Sequence, residues 1–271
     1  MPSRTDTVPH LNYDSGMTNN DKASEVSSSD IQAVSRVGQI CSLFGPDTTE
    51  LTAADVAERL GLNRTTAYRY CASLVTAEIL DRGPRRGTFI LGGLMMQLGI
   101  HALGRNRVVE IAPPYLEKLA TAAHMTAVLS IWGAHGPVTA VVREDSTRTV
   151  FVTVKAGSQL DRTASQAHVF LAHQKDQTGF DRMVADASPS ERADLEAAVY
   201  TARRTGHSFV SHAGGVFGVA VPVFDEHGIC ATVALLGAGE ASSLSADSPA
   251  FAQLIDTAAV LSRELGGHEG Q

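Results

Sequence analysis

The chain has few cysteines and no long apolar run, and each scarcity argues against a class of protein. Its three cysteines, Cys41, Cys71 and Cys230, are far apart and form no CxxC pair. A disulfide framework and a zinc site are therefore not expected, and a reducing cytoplasm is the expected compartment. No apolar run reaches transmembrane length, and the start has no signal-peptide pattern. We expect no membrane association and no cofactor.

Catalytic motifs are also missing from the sequence. It contains no GxSxG elbow, no HExxH pair and no phosphate-binding loop. The pairs His168/His173 and His207/His212 have i, i+5 spacing, which does not stack two metal ligands on one helix face. We therefore expect a protein that is not an enzyme. A hydrolase or metal-dependent catalyst in the C-terminal half is the alternative.

The charge of the chain is unevenly distributed. Net charge is −7, which argues against a protein that coats nucleic acid over its whole surface. Between Asn63 and Leu91, however, five arginines stand against only Glu78 and Asp81, whereas acidic residues outnumber basic ones from Gly92 onward. The basic segment therefore predicts a local contact with DNA phosphates.

The segment from Thr52 has the residue order of a helix-turn-helix. A helix is expected to start near Asp30, which is a good N-cap residue. Thr52 then caps a second helix, with Asp55 placed for a capping box, and Gly61 supplies a turn with positive φ. Asn63 caps the third helix, which is predicted to lie in a DNA major groove.

The third helix is amphipathic and is followed by a basic hairpin. Ala67, Tyr70, Cys71 and Leu74 recur at helical spacing and form its predicted buried face. The side chains that remain offer guanidinium, hydroxyl and amide groups suited to base edges and phosphates. The candidate DNA contacts are Asn63, Arg64, Thr65, Thr66, Tyr68, Arg69, Arg82, Arg85 and Arg86. Each alone could be an ordinary solvated side chain, but the order of helix, glycine, helix and hairpin favours DNA binding.

The hairpin is predicted to be the wing of a winged helix-turn-helix. Ile79-Leu80 and Phe89-Ile90-Leu91 supply its strands, and the tip at 83–87 carries Arg85 and Arg86. An arginine-bearing tip beside a recognition helix is expected to clamp a phosphate, and a solvated turn is the alternative.

These motifs resemble those of the IclR family of bacterial transcriptional regulators. The family's third-helix pattern, roughly GL-x-x-[ST]-[ST]-x-x-R-x-L, appears from Gly61 to Arg69, with Cys71 in place of the usual leucine. The closing Y-x-LG of the wing appears as Phe89-Ile90-Leu91-Gly92, and the similarity extends over about residues 30 to 266. The resemblance implies a repressor or activator that binds double-stranded operator DNA under the control of a small-molecule effector.

The resemblance also implies an α+β architecture with a defined domain order. Residues 1–29 are polar and predict a disordered tail. Residues 30–92 correspond to the winged helix-turn-helix, 93–106 to a linker helix, and 107–271 to a GAF-like effector-binding domain with an antiparallel sheet. In the family the linker helix mediates dimer contacts, so a homodimer or a dimer of dimers is expected. A helix packed on its own domain is the alternative.

Sequence patterns in the C-terminal part predict two strand meanders with helices on one side of the sheet. A helical region is expected over Val108–Ala123, with an irregular turn at Pro113-Pro114. The predicted strands are Thr126–Trp132, Val138–Arg143, Thr149–Val154, Val216–Phe224 and Ile229–Leu236. The further predicted helices are Ser165–His173, Glu191–Arg204 and one from about Pro249 to Leu265.

The family's effector pocket lies between the sheet and the loops before its helices. The family segment G…tA-x-G-K-A-x-LA corresponds to Gly157 followed by Thr163 to Ala172, with Ala167-His168 at the glycine-lysine pair. The effector-binding residues implied by the resemblance are Trp132, Phe151, Thr163, Ser165, Gln166, Gly218, Leu235 and Gly237. Three of them precede or open a helix, where backbone N–H groups favour an anionic or polar ligand group. Plain helix capping is the alternative.

The predicted pocket differs from the family pattern after the last strand. The family's SxSGP is Leu235-Leu236-Gly237-Ala238-Gly239 here, so two hydroxyl groups are lost. A less polar pocket is expected, suited to an organic acid, an aromatic compound or an acyl compound. A collapsed cavity in a constitutive DNA-binding protein is the alternative.

Overall fold

The structure is a computed structural model that describes residues 31–145, 147, 152–239, 244–245 and 247–267. The chain divides into two compact units, Met1–Leu43 and Phe44–Gln271. The predicted tail, the Asp30 cap and the candidate effector residue Phe151 lie outside the described residues. The domain boundaries at 92/93 and 106/107 stay predictions.

The first unit contains one described helix, α1, which spans Gln32–Cys41. Its N-cap residue is Ile31, which has no side-chain acceptor for the first N–H groups. Ile31 and Val34 are 67% and 65% exposed, whereas Ile40 is buried. The apolar side chains of α1 are therefore partly open to solvent.

The second unit begins with a small winged helix-turn-helix. Its elements are β1 (Leu51–Thr52), α2 (Ala53–Leu60), α3 (Arg64–Thr76), β2 (Leu80–Arg82) and β3 (Thr88–Leu91). The strands form an antiparallel sheet in the order β1-β3-β2. The predicted helix pair and hairpin are confirmed, and the two-residue strand β1 is an addition that sequence patterns did not indicate.

The structure contains the helix caps and the glycine turn that the sequence predicted for this segment. Thr52 and Asp55 form a capping box at the start of α2, and Gly61 ends that helix with φ 62°. The Asn63 side chain accepts a hydrogen bond from the Thr66 N–H at 2.7 Å and so caps α3. The predicted buried face of α3 is confirmed at three of its four positions, because Tyr70 is only half-buried.

Three helices follow the wing. They are α4 (Gly93–Gly104), α5 (Arg107–Ile111) and α6 (Pro113–Ala123). The break between α5 and α6 falls at the predicted Pro113-Pro114 turn, where proline starts the next helix. No residue of α4 is buried, although the helix is largely apolar. Its exposed large side chains are Met96, Leu98, Ile100 and Leu103, with exposures from 46% to 68%.

The larger sheet is antiparallel, with five strands in the order β5-β4-β8-β7-β6. The strands are β4 (Thr126–Trp132), β5 (Pro137–Arg143), β6 (Ser208–Ser211), β7 (Val216–Asp225) and β8 (Gly228–Ala238). The antiparallel sheet and four of its strands are therefore confirmed. The predicted strand at 149–154 is wrong where it can be judged, because 152–154 are not in a strand and 149–151 lie outside the described residues.

Helices cover both faces of this sheet, which corrects the prediction of helices on one side. The helices are α7 (Ser165–His173), α8 (Thr178–Met183), α9 (Pro189–Thr205) and α10 (Pro249–Glu264). On one face, α6 and α10 pack through residues such as Leu116 and Leu254 into the main hydrophobic core. On the opposite face, Val169 of α7 packs against Ala220 and Ala234. We call this second side the α7 face.

Candidate DNA interface and effector site

The exposed side of α3 carries a line of polar residues. Thr65, Arg69 and Ser73 are exposed and lie at i, i+4 and i+8, so they share one side of the helix. Arg64 and Tyr68 are also exposed and flank this line. Ser73 is not among the DNA contacts predicted from sequence, although its helical spacing from Thr65 and Arg69 places it with them.

The other candidate residues on α3 differ in how free their side chains are to contact DNA. The side-chain oxygen of Asn63 is engaged by the backbone of α3, and Thr66 is half-buried. Thr66, Arg69, Tyr70 and Ser73 together line an open concavity of about 350 Å³. Arg69 therefore lies both on the exposed line and in a recess of the helix surface.

An aromatic and cationic stack joins α3 to the wing. The Tyr68 and Phe89 rings meet edge to face, with centroids 6.5 Å apart. The Arg82 guanidinium lies 4.9 Å from the Phe89 centroid and 5.8 Å from the Tyr68 centroid. Such contacts each contribute about 0.5–1 kcal/mol at exposed sites. Arg82 therefore positions Tyr68 relative to the wing in addition to adding charge.

The remaining wing arginines are in different environments. Arg85 forms an ion pair with Glu50 at 2.8 Å. Arg86 is exposed and has no ion-pair partner within the described part of the chain. The sequence alone does not distinguish Arg85 from Arg86, because Glu50 lies 35 positions away from Arg85 along the chain.

Sheet register decides which predicted effector residues share a surface. Gly218 pairs with Leu236, and Leu236 pairs with Thr126, so all three point to the α7 face. The Ser165 hydroxyl lies 3.7 Å from where a Cβ on Gly218 would stand. Ser165 also donates a hydrogen bond to Gln166 at 3.1 Å, and both side chains are buried. The structure thus brings Ser165, Gln166 and Gly218 together.

Leu235 and Gly237 lie on the opposite face of the sheet. Leu235 is fully buried in the core formed with α6 and α10. The Phe217 ring covers Gly237, where a Cβ would meet ring carbons at 2.7 Å. Both residues therefore face away from Ser165, Gln166 and Gly218, because an offset of one residue along a strand reverses the face. Their assignment to the effector site stays a prediction. Leu236, which lies between them, points to the α7 face.

Thr163 and Trp132 are occupied by local contacts. The exposed Thr163 donates from its hydroxyl and its backbone N–H to one oxygen of Asp161. The Trp132 ring contacts Phe170 edge to face at 5.5 Å and packs against the small core of α7, α8 and α9. Its position on β4 nevertheless places Trp132 on the α7 face, at the far end from Thr126.

Three buried hydroxyl groups lie side by side on the α7 face. Ser130 of β4 pairs with Thr139 of β5 and with Thr232 of β8, so the three side chains form a row across adjacent strands. All three are at most 1% exposed, and their hydroxyl oxygens have no hydrogen-bond partner among the described residues. Sequence reasoning missed them, because hydroxyl residues are ordinary in strands and the row exists only after pairing.

Removing two of these hydroxyls is expected to stabilise the fold. An unpartnered buried hydroxyl costs about 1–3 kcal/mol of desolvation, whereas valine has nearly the same shape. We therefore expect Thr139→Val and Thr232→Val each to raise the free energy of unfolding by about 1 kcal/mol. Denaturant titration followed by circular dichroism measures this change in the free energy of unfolding.

Thr126→Val is the matched control for that measurement. The Thr126 hydroxyl donates to the Val152 carbonyl, so its removal should lower the free energy of unfolding by about 0.5–1.5 kcal/mol. If all three variants lose stability equally, the hydroxyl row has partners and the expectation is wrong.

The histidines of α7 are held in the neutral form. Burial lowers the pKa of His168, and its Nε2 lies 2.9 Å from the Arg162 carbonyl while its Nδ1 lies 2.8 Å from the Ser208 hydroxyl. A proton on Nε2 satisfies the carbonyl, and Nδ1 then accepts from the hydroxyl. Burial also lowers the pKa of His173. Neither histidine of α7 therefore offers a positive charge to an anion at neutral pH.

Metal clusters and membrane-spanning helices are absent from the described residues, and a further cavity lies beside the wing. No group of three His, Cys, Asp or Glu residues there could hold a metal ion. No helix in this part of the chain is long and apolar enough to cross a membrane. A cavity of about 650 Å³ lies beside the wing, lined in part by Pro46, Glu50, Pro84, Leu91 and Gly157. It is separate from the predicted effector residues.

The family model of the IclR helix-turn-helix domain matches residues 33–84. The chain therefore has a helix-turn-helix domain of the IclR type. It is 29% identical over 101 residues to the HTH-type transcriptional regulator XynR of Escherichia coli K12, a match that covers 37% of this chain and 40% of that protein. It is 26% identical over 248 residues to the glycerol operon regulatory protein of Streptomyces griseus, covering 87% and 97% of the two chains.

Solved structures share the fold over most of the chain. An IclR family regulator from Brucella abortus has a TM-score of 0.69 at 19% identity, covering 91% of this chain and 97% of that one. An IclR homologue from Microbacterium hydrocarbonoxydans, solved in complex with 4-hydroxybenzoate, has a TM-score of 0.67 at 20% identity, covering 86% and 98%. At these identities the likeness establishes the fold alone, a helix-turn-helix part joined to an α+β part.

Proposed function

We propose that this protein is an IclR-type regulator that recognises an operator through α3, with the wing on neighbouring phosphates. An effector bound on the α7 face changes its affinity for the operator. The observation that carries the proposal is the exposed line of Thr65, Arg69 and Ser73 beside a wing attached through Arg82 and Phe89. A helix with such a polar side fits the major groove, where arginine bonds guanine and threonine contacts thymine methyl groups. The protein acts in the cytoplasm, as either a repressor or an activator of transcription.

A homodimer, or a dimer of dimers, is the proposed DNA-binding form. Helix α4 follows the wing directly and buries none of its residues, although Met96 and Ile100 are 68% and 64% exposed. A second copy would cover this apolar surface. Two-fold symmetry would then present two α3 helices to two half-sites. Duplexes selected from a random library should therefore contain an inverted repeat.

The effector site is proposed on the α7 face, around Ser165, Gln166 and Gly218. These residues are buried and close together, and the first N–H groups of α7 lie beside them. A carboxylate or other polar end would bind there, and the apolar body would lie against Leu236. An organic acid, an aromatic compound or an acyl compound fits this description. The 4-hydroxybenzoate bound by the Microbacterium homologue supports aromatic acids as the first probes.

The experiment compares ligand binding with DNA binding in the full-length chain. Melting temperature is measured with 4-hydroxybenzoate, benzoate and a series of aliphatic acids, because a ligand of the folded state raises it. A compound that raises it should also change the affinity for a selected duplex, since coupling between two sites is reciprocal. Ser165→Ala should reduce both effects.

Thr163→Ala is the control for Ser165→Ala. It removes a nearby hydroxyl that is already bonded to Asp161, so both ligand effects should persist. Equal losses in the two variants would argue against the site at Ser165. A ligand that shifts the melting temperature without changing duplex affinity would mean that the protein binds DNA constitutively.

A further inference from the structure

The three wing arginines have three different surroundings. Arg82 is stacked on Phe89, and Arg86 is exposed. Arg85 instead directs Nε and Nη2 at one oxygen of Glu50, both at 2.8 Å. Its side chain is 73% exposed, but two of its donors are turned toward the protein. Counting arginines therefore overstates the charge that the wing offers to DNA.

Glu50 is held in place by several groups at once. The Thr88 hydroxyl and the Arg85 backbone N–H both donate to Glu50, which leaves its side chain only 15% exposed. The hydrogen bond from Thr88, followed by those from Arg85, lowers the pKa of Glu50, so the carboxylate stays ionised at neutral pH. Both Glu50 and Arg85 are therefore ionised at neutral pH, and the net charge of the pair is close to zero.

Gly83 allows this arrangement. A Cβ at Gly83 would lie 2.8 Å from the Glu50 carboxylate and 2.4 Å from the Thr88 hydroxyl, which is closer than atoms pack. Gly83 leaves space for the Glu50 carboxylate and the Thr88 hydroxyl where they stand, and a larger residue there would displace at least one of them. The contact between Glu50 and Arg85 is thus built into the hairpin, and it differs in this respect from a chance pairing of long surface side chains.

We propose that Glu50 withholds Arg85 from DNA, so that the wing contacts phosphates through Arg86 and its affinity for any duplex is limited. The proposal rests on the proposed DNA interface. A paired arginine releases no counterion when DNA binds, so it adds nothing to the salt dependence of binding. Phosphate contacts bind all sequences alike, so this limit lowers general affinity and leaves recognition to α3.

The opposite role for Glu50 makes the opposite prediction. If the carboxylate aimed Arg85 at a phosphate, replacing it would weaken DNA binding. If it withholds Arg85, Glu50→Gln frees the guanidinium for a phosphate and strengthens binding. The sign of the change in affinity therefore decides between the two roles.

The test uses fluorescence anisotropy of the full-length chain with a random-sequence duplex over a series of salt concentrations. Glu50→Gln is expected to bind several-fold more tightly at low salt and to steepen the dependence of log affinity on log salt by about one unit. Asp81→Asn is the charge-matched control, because Asp81 is an exposed carboxylate on β2 of the same wing. It should change the slope much less. The double variant Glu50→Gln/Arg85→Ala should lose the added slope.

Arg86→Ala and Arg85→Ala separate failure of this proposal from failure of the DNA interface. Arg86→Ala should flatten the salt dependence by about one unit, and Arg85→Ala should change it less. No effect of Arg86→Ala would place the wing away from DNA. If Arg86→Ala flattens the salt dependence but Glu50→Gln binds DNA more weakly or with unchanged affinity, the DNA interface stands and the proposed role of Glu50 is wrong. Arg85→Ala keeps the test valid if Glu50→Gln does not fold.

Discussion

Arg69→Ala is expected to lower the affinity for a selected operator by about 1–3 kcal/mol, which is roughly fivefold to more than a hundredfold. Arg69 is exposed in the middle of the polar line on α3, between Thr65 and Ser73. A bidentate contact to guanine would be lost, and no other side chain on that line can replace it. Binding to random duplexes should fall much less, because most of that affinity comes from phosphate contacts.

Arg204→Ala is the control for this experiment. Arg204 is exposed on α9, within the larger α+β part of the chain, so its removal changes net charge by the same amount. The affinity of the Arg204→Ala variant for the operator should match that of the unmodified protein. Arg64→Ala is expected to behave like Arg69→Ala, because Arg64 opens the same helix. Unchanged operator binding at fixed salt in both α3 variants would show that α3 is not the recognition helix.

Leu235→Ala is expected to lower the free energy of unfolding by about 2–5 kcal/mol. Leu235 is fully buried in the core between the sheet and helices α6 and α10, so alanine leaves a cavity there. Its loss should be independent of any effector. Leu236→Ala, on the α7 face and half-buried, should cost less stability and reduce ligand binding.

Urea denaturation and the ligand-induced melting shift distinguish the two leucines. The expected pattern is low stability in Leu235→Ala and a reduced ligand shift in Leu236→Ala. The reverse pattern would mean that Leu235 lines the effector site, as the family resemblance implies. The two residues are adjacent and chemically identical, so the comparison isolates the face of the sheet on which each lies.

Features encoded within a few residues were predictable from sequence. The capping box at Thr52, the turn at Gly61 and the cap at Asn63 each act over three or four positions, and the structure contains all three. Strand β4 and helix α7 were also predicted with their observed limits. Local signals therefore located the elements that carry both candidate sites.

Features that depend on distant partners were not predictable. The strand β1 exists through its pairing with β3, and Leu235 faces the core through a register shared with Val219 and Ala127. Glu50 meets Arg85 from 35 positions away along the chain. Pairing, register and ion pairs of this kind arise only after the chain folds, and they changed the interpretation of both the effector residues and the wing.

The stack of Tyr68, Phe89 and Arg82 has a consequence for protein engineering. Tyr68 belongs to α3, but the side chains that support it belong to the wing. Transplanting α3 alone into another winged protein would leave Tyr68 without that support, and the ring would turn away from its position. A module from Asn63 to Leu91 moves the helix together with its brace. Exchange of DNA specificity between such regulators should therefore succeed with the whole module more often than with the helix alone.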